Sequence, residues 1–267
     1  MRVEAAQPRE PAPWSDQDVG RPAGGHATQV GGTFTVTGSG DVAPDPPDTD
    51  IVRLSLTGAF VGLVAIVVVA VLFITSEYKR AMIRTTFAAS PRRVRVLAAK
   101  AIVIGVTTFV VGLVASVTAF LLAQPSLRAS GFAPPAYPHP SLSDGPVLRA
   151  VVGTAALLAA IAVFSLGAGA ILRRSAGAVT AVIVLVVVPQ FVAGALPLTP
   201  AHWLMRLTPA AGFAIQQTIE RYDFVDSLCL PEDGCFLMEP WAGLGALCGY
   251  AAVTLGVAFW LLARRDA

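Results

Sequence analysis

Charged residues are scarce in this sequence: Asp, Glu, Lys and Arg make up 13% of its 267 residues, whereas hydrophobic residues make up 55%. The mean hydropathy is +0.67. Soluble globular domains carry about 25% charged residues, so the composition excludes an ordinary soluble domain. The sequence belongs to the membrane class.

The motifs that carry common enzyme chemistry are absent as well. There is no Gly-x-x-x-x-Gly-Lys-Ser/Thr phosphate loop, no His-Glu-x-x-His or Cys-x-x-Cys metal spacing, and no Gly-x-Ser-x-Gly nucleophile elbow. The three histidines, His26, His139 and His202, are scattered over predicted loops, and we interpret them as solvated or interfacial imidazoles. We therefore expect no catalytic, cofactor-binding or metal-binding residue.

Five long apolar stretches are present instead, each with essentially no charge. A helix of about 20 residues crosses about 30 Å of hydrocarbon. The predicted spans are residues 54–75, 101–123, 150–172, 176–196 and 241–263. Only three residues separate the third and fourth spans, which predicts a tight hairpin, and Pro189 predicts a kink inside the fourth. The sequence thus predicts an all-α integral membrane protein with five transmembrane helices.

No charged residue lies inside a predicted span, which removes the usual sign of a proton-driven or sodium-driven transporter. A charge in hydrocarbon costs about 3 kcal/mol or more. Arg53 and Arg149 lie at span ends, where we interpret them as interfacial anchors that snorkel toward water. If the protein transports, its energy comes from another source.

The distribution of charge predicts the orientation. Residues 76–100 hold seven basic residues against one acid, whereas residues 1–50 hold three against eight and residues 197–240 hold two against six. Because basic loops stay in the cytoplasm, we expect 76–100, 173–175 and the C-terminus to be cytoplasmic and the acidic segments to be external. The predicted location is the cell membrane, with several passes.

The first 50 residues read as a loose, acidic, external tail that precedes a membrane domain over residues 51–267. They show no cleavable signal peptide. One short alternating run, residues 33–38, predicts a strand or the edge of a hairpin.

Two of the three cysteines lie close together in a predicted external loop. Cys229 and Cys235 are six residues apart around a Pro-Glu-Asp-Gly turn, and both a disulfide and two free thiols remain open. Cys248 lies within the last span, where we interpret it as a small apolar filler.

A basic segment, "TSEYKRAMIRTTFAASPRRVRVLAAK", joins the first two spans. On a helical wheel its apolar side chains separate from Arg80 and Arg84, which predicts a short amphipathic helix on the membrane surface. Ser90-Pro91 then ends that helix. The alternative is a loop that only fixes orientation, but such a loop has no need of Tyr, Met, Ile and Phe.

This segment resembles the region after an early span in actinobacterial permease subunits of ATP-binding cassette (ABC) transporters, of the type 2 exporter class. The resemblance rests on S-E-Y, M-I-R, P-R-R and the A-K that precedes the next span. Three later segments are similar to the same family in order and spacing: "LRRSAGAV", "PAAGFAIQQT" and "PWAGLGALCGYAA...LLARRDA". The resemblance covers about residues 32–267. It implies a permease subunit that forms the translocation path, with ATP bound by a separate ATPase subunit. The implied partners are that ATPase, a second permease copy or a different permease, and membrane lipids, without nucleic acid.

The resemblance also implies roles for individual residues. Residues 76–90 correspond to the cytoplasmic coupling element that touches the ATPase, with Glu77 pairing with a basic group and with Tyr78, Met82 and Phe87 making apolar contacts. The nearby arginines fit either the partner or anionic lipid: Arg80, Arg84, Arg92 and Arg93.

A second segment, "LTPAAGFAIQQTI", is similar to the short re-entrant or interfacial helices near the exit of type 2 exporters. Trp203 and Phe213 suit a membrane interface. The alternative is an ordinary external surface helix.

One departure from the family pattern is that its first span and the preceding cytoplasmic helix have no counterpart, while residues 32–50 resemble the external loop that follows that span. We expect either a start further upstream or a five-span permease with low activity. A membrane anchor or immunity protein that sequesters a peptide without transport is the alternative function, and a membrane enzyme is a distant third. Hydrophobic or amphipathic cargo is only weakly favoured.

Overall fold

The computed structural model describes residues 2–4, 26–30, 33–37, 50–79, 93–132, 139–196, 198–218 and 238–264. These residues divide between two compact units. One unit contains three strands, and the other, Asp48–Ala133 with His139–Ala267, contains the helices.

The strand unit is a small antiparallel sheet. Its strands are β1 (Arg2–Glu4), β2 (His26–Val30) and β3 (Thr33–Thr37), in the order β1-β3-β2. Residues 33–37 of the alternating run form β3, which pairs on both sides and is therefore central rather than an edge. The sequence did not predict β1 or β2.

The helical unit contains α1 (Ile51–Ser55), α2 (Ala59–Lys79), α3 (Arg93–Ala129), α4 (Gly145–Leu172), α5 (Ser175–Val186), α6 (Val188–Gly194), α7 (Leu198–Arg206), a 3-10 helix (Pro209–Gln216) and α8 (Pro240–Arg264). Five stretches are long and apolar enough to span a membrane: Ala59–Ser76, Arg95–Ala129, Gly145–Leu172, Ser175–Ala193 and Pro240–Leu262. All five predicted spans are confirmed as long apolar helices, with the fourth kinked.

Helix α4 is the centre of this unit, because 72% of it is buried whereas 17–33% of each other span is. Small residues allow close packing around it. A Cβ on Gly169 would lie 2.7 Å from the Ile74 side chain of α2, and one on Gly167 would lie 2.8 Å from the Thr254 hydroxyl of α8. Helix packing in membranes depends on such small residues, because lipid is as apolar as the side chains it would replace.

The boundaries differ from the predicted ones in two places. The first span, predicted as continuous from residue 54, is interrupted by a turn at residues 56–58, after the short helix α1 that the Asp50 carboxylate caps at the Arg53 amide, 3.0 Å away. Helix α3 extends over 37 residues, well beyond the predicted 101–123, because its charged ends continue the same helix.

Two local predictions are confirmed. The fourth span kinks where α5 ends at Val186 and α6 begins at Val188, one residue before Pro189. The third and fourth spans form a tight hairpin in which Arg173 adopts the left-handed conformation, φ 55°, and its N–H donates to the Gly169 carbonyl at 3.0 Å.

Candidate functional site

The site residues suggested by the family resemblance fall at the edge of the described chain or outside it. Glu77 and Tyr78 lie in the last turn of α2, where the structure describes only the backbone. Of Arg93 the structure describes only the backbone. The remaining residues with predicted roles lie outside the described part of the chain: Arg80, Met82, Arg84, Phe87, Arg92, Cys229 and Cys235. Their proposed roles and the disulfide stay predictions. Cys248 is a free thiol exposed on α8, so it does not fill the core.

The most unusual described element is the 3-10 helix at Pro209–Gln216, all eight residues of which are buried. Runs of 3-10 helix longer than three or four residues are uncommon, so this one depends on its surroundings. The space for it comes from glycines. A Cβ on Gly212 would lie 2.8 Å from the side chains of both Leu157 and Leu247, and a Cβ on Gly153 would collide with Ile215.

This helix packs between α4 and α8. Gly212 adjoins Leu157, which is twelve residues after the first residue of α4, or about 18 Å along its axis. Backbone that is not α-helical is tolerated at membrane depth only where protein encloses it. We call Pro209–Gln216 the re-entrant segment, because its burial favours that interpretation over the external surface helix that was the alternative.

Two aromatic residues, one within the re-entrant segment and one on α7, lie in different environments. Phe213 is 1% exposed and stacks on Phe60 of α2, with ring centroids 4.7 Å apart, so its predicted place at the membrane interface is wrong. It was assigned from residue type alone, and the glycines that admit the ring to the core were not recognised. Trp203 on α7 is 58% exposed, as an interfacial residue should be.

Two residues of opposite charge hold the end of the re-entrant segment. Arg149 Nη2 donates to the Gln217 carbonyl oxygen at 2.6 Å, and Asp50 Oδ2 accepts from the Thr218 N–H at 2.6 Å. That carbonyl and that N–H belong to the same peptide group. Asp50 Oδ1 also accepts from the Thr218 hydroxyl at 2.7 Å. We call this arrangement the peptide clamp.

The clamp corrects our interpretation of Arg149 as a snorkelling anchor. Its side chain is half-buried and reaches a carbonyl 68 residues away in sequence. The carbonyls at the end of a 3-10 helix need donors, and a guanidinium supplies a charge-assisted one. The interaction therefore stabilises the re-entrant segment.

Further polar contacts tie the re-entrant segment to its neighbours. Gln216 Nε2 donates to the Thr154 hydroxyl at 3.1 Å, and both side chains are buried. Gln190 Nε2 on α6 donates to the Ala210 carbonyl at 3.2 Å. Sequence inspection missed these residues, although the run Gln-Gln-Thr directly after an apolar stretch was a usable signal.

Polar side chains inside the spans mostly bond within their own helices. Thr75, Thr154 and Ser165 each donate to the carbonyl four residues earlier, at 2.7 to 2.9 Å. Over the described part of the chain, no group of three His, Cys, Asp or Glu residues comes together that could hold a metal ion. The arrangement holds a backbone segment in place.

The outer surface of the bundle is that of a protein in lipid. Large apolar side chains are widely exposed on α2 and α3, such as Val61 at 78% and Leu122 at 73%. On α8 the exposed Trp241 and Trp260 are nineteen residues apart, which is about 28 Å of helix. That spacing matches the hydrocarbon core, whose two interfaces favour tryptophan.

The chain is a multi-pass membrane protein. No protein-family model, no curated protein and no solved structure matches it.

Proposed function

We propose that this protein is the transmembrane subunit of an ABC exporter and is driven by a separate ATPase subunit. The observation that carries the proposal is the S-E-Y, M-I-R and P-R-R pattern between residues 76 and 93. Helix α2 ends at Lys79 and α3 begins at Arg93, so this pattern connects the ends of two successive spans. A coupling element needs that position, because it must contact a partner outside the membrane.

Helix α2 offers a way to transmit the ATPase stroke. One end of this helix continues into the proposed coupling element, and the other carries Phe60, which stacks on Phe213 of the re-entrant segment. The distance between Phe60 and Lys79 along the helix is about 28 Å. A rigid helix that moves at one end displaces what it contacts at the other, and the re-entrant segment would be the element that opens or closes the path.

Coexpression with candidate ABC ATPase subunits from the same genome tests the proposal. The double substitution of Glu77→Ala and Tyr78→Ala should abolish copurification of the ATPase or stimulation of its ATP hydrolysis, while membrane insertion is retained. The matched control is Glu239→Ala, which changes an exposed acid directly before the first residue of α8 and outside the proposed coupling element. It should keep full coupling.

The opposite outcomes separate the two candidate functions. Unchanged coupling in the double variant would refute the role of residues 76–90. Failure of any ATPase to copurify with the unaltered chain would favour the anchor or immunity function over transport.

A further inference from the structure

One end of the helical bundle gathers basic side chains. Ile74, Leu97, Ala170 and Leu262 belong to one buried cluster, so the ends of α2, α4 and α8 meet the start of α3 there. The basic residues within a few positions of this cluster are Arg95, Lys100, Arg173, Arg174 and Arg264. We call this the basic end.

The opposite end is mixed in charge. Its described acids are Asp50, Asp144 and Glu239, and its described arginines are Arg53, Arg128, Arg149 and Arg206. The side chains that the structure describes at the basic end include no acid, and in the sequence residues 76–100 hold seven basic residues against one acid. The charge difference between the two ends is therefore a property of several helices and not of a single loop.

Two contacts at the basic end place a cation over an aromatic ring. Lys100 Nζ lies 4.9 Å from the centre of the Phe73 ring, and Arg264 Cζ lies 4.4 Å from the Trp260 ring. Trp260 is 52% exposed on the face of α8. Tryptophan near the end of a span is typical of the boundary between hydrocarbon and water, where the headgroups lie, and a long cationic side chain at such a span end extends toward them.

We propose that the basic end binds the headgroups of anionic phospholipids and that the α4–α5 hairpin is the main contact. Arg173 and Arg174 are adjacent and exposed. Guanidinium groups form paired hydrogen bonds with phosphate oxygens. A zwitterionic headgroup binds arginine less favourably than an anionic one does, because it carries its own cation. The hairpin connects α4 and α5, whereas residues 76–90, the proposed ATPase contact, lie between α2 and α3. The lipid proposal therefore does not depend on an ATPase.

The backbone of the hairpin fixes where these two side chains emerge. Arg173 has φ 55°, a conformation that is strained for a residue with a side chain, and its N–H donates to the Gly169 carbonyl. Glycine would adopt this conformation without strain. Arg173→Gly therefore removes the charge and keeps a residue that adopts this backbone conformation readily, which makes it a suitable test substitution.

The test is native mass spectrometry of the purified full chain with added phosphatidylglycerol or phosphatidylcholine. Each basic side chain near an anionic surface contributes about fivefold to binding, so Arg173→Gly with Arg174→Ala should weaken phosphatidylglycerol binding by about 25-fold. Phosphatidylcholine binding should not change. The matched control is Arg128→Ala with Arg206→Ala, two exposed arginines at the opposite end, and it should retain phosphatidylglycerol.

Three outcomes would overturn the proposal. They are an equal loss in the control pair, unchanged phosphatidylglycerol binding in the hairpin variant, and competition by inorganic phosphate as effective as by the lipid. The variant with lysine at both hairpin positions guards against misfolding, because it keeps the charge and should recover most of the lipid binding.

Discussion

At the scale of single residues, the peptide clamp is the feature with the clearest physical consequence. Asp50 and Arg149 bind the two ends of the peptide group between Gln217 and Thr218. Hydrogen bonds to charged groups contribute about 1.5–3 kcal/mol each, more than neutral ones. The clamp is thus strong enough to decide whether the end of the re-entrant segment stays in place.

We predict that Asp50→Asn loosens the end of the re-entrant segment. The amide keeps the size of the side chain, but it has one carbonyl oxygen where the carboxylate offered two acceptors to Thr218. Hydrogen–deuterium exchange of peptides covering residues 209–218 should become about tenfold faster, corresponding to about 1.4 kcal/mol.

Asp144→Asn is the control for this prediction. Asp144 also lies at the start of a helix and accepts from the Ser141 N–H at 2.9 Å, but it does not contact the re-entrant segment in the described contacts. In the Asp144→Asn variant, the rate of hydrogen–deuterium exchange at residues 209–218 should equal that of the unaltered chain. Equal exchange in both variants and the unaltered chain would show that the clamp does not hold the segment.

At the scale of elements, the re-entrant segment depends on the absence of side chains around it. We predict that Gly212→Ala lowers stability by about 1–3 kcal/mol, since the added Cβ would lie 2.8 Å from both Leu157 and Leu247. Thermal unfolding in detergent measures the effect, and the melting temperature should fall by several degrees.

Two other glycines supply the control. Gly245 and Gly249 on α8 have no heavy atom within 4 Å of an added Cβ in the described structure. Alanine at either position should leave the melting temperature unchanged or raise it, because alanine favours the helix over glycine. If Gly212→Ala were as harmless as these, the packing around the re-entrant segment would not be tight.

The sequence predicted the helices correctly wherever hydropathy alone determines where they lie. The five spans, the hairpin at Arg173 and the kink before Pro189 follow from apolar length and from proline. The break at residues 56–58 was missed, since a lone glycine in an apolar run does not distinguish a turn from a helix.

The candidate site was harder to foresee than the spans. Asp50 and Thr218 are 168 residues apart, and no local pattern brings them together. The proposed coupling residues came from a resemblance, and they stay predictions because their side chains lie outside the described structure.

At the scale of the whole molecule, the two ends of α4 are the positions at which the orientation of the protein in the membrane can be tested. This helix carries Ser143 just before its start and Arg174 just after its end, and the 28 residues of α4 lie between these two exposed positions. If α4 spans the membrane, the two positions lie on opposite sides. The excess of basic residues at the Arg174 end predicts that this end faces the cytoplasm.

We predict the labelling pattern of single cysteines at these positions, in a chain whose Cys229, Cys235 and Cys248 are replaced by serine. A membrane-impermeant maleimide should label Ser143→Cys in intact cells, and should label Arg174→Cys only after the cells are permeabilised. Labelling of both in intact cells would mean that α4 does not cross the membrane. The reverse pattern would put residues 76–92 outside the cell, where no ATPase could reach them, and would refute both the orientation and the proposed coupling.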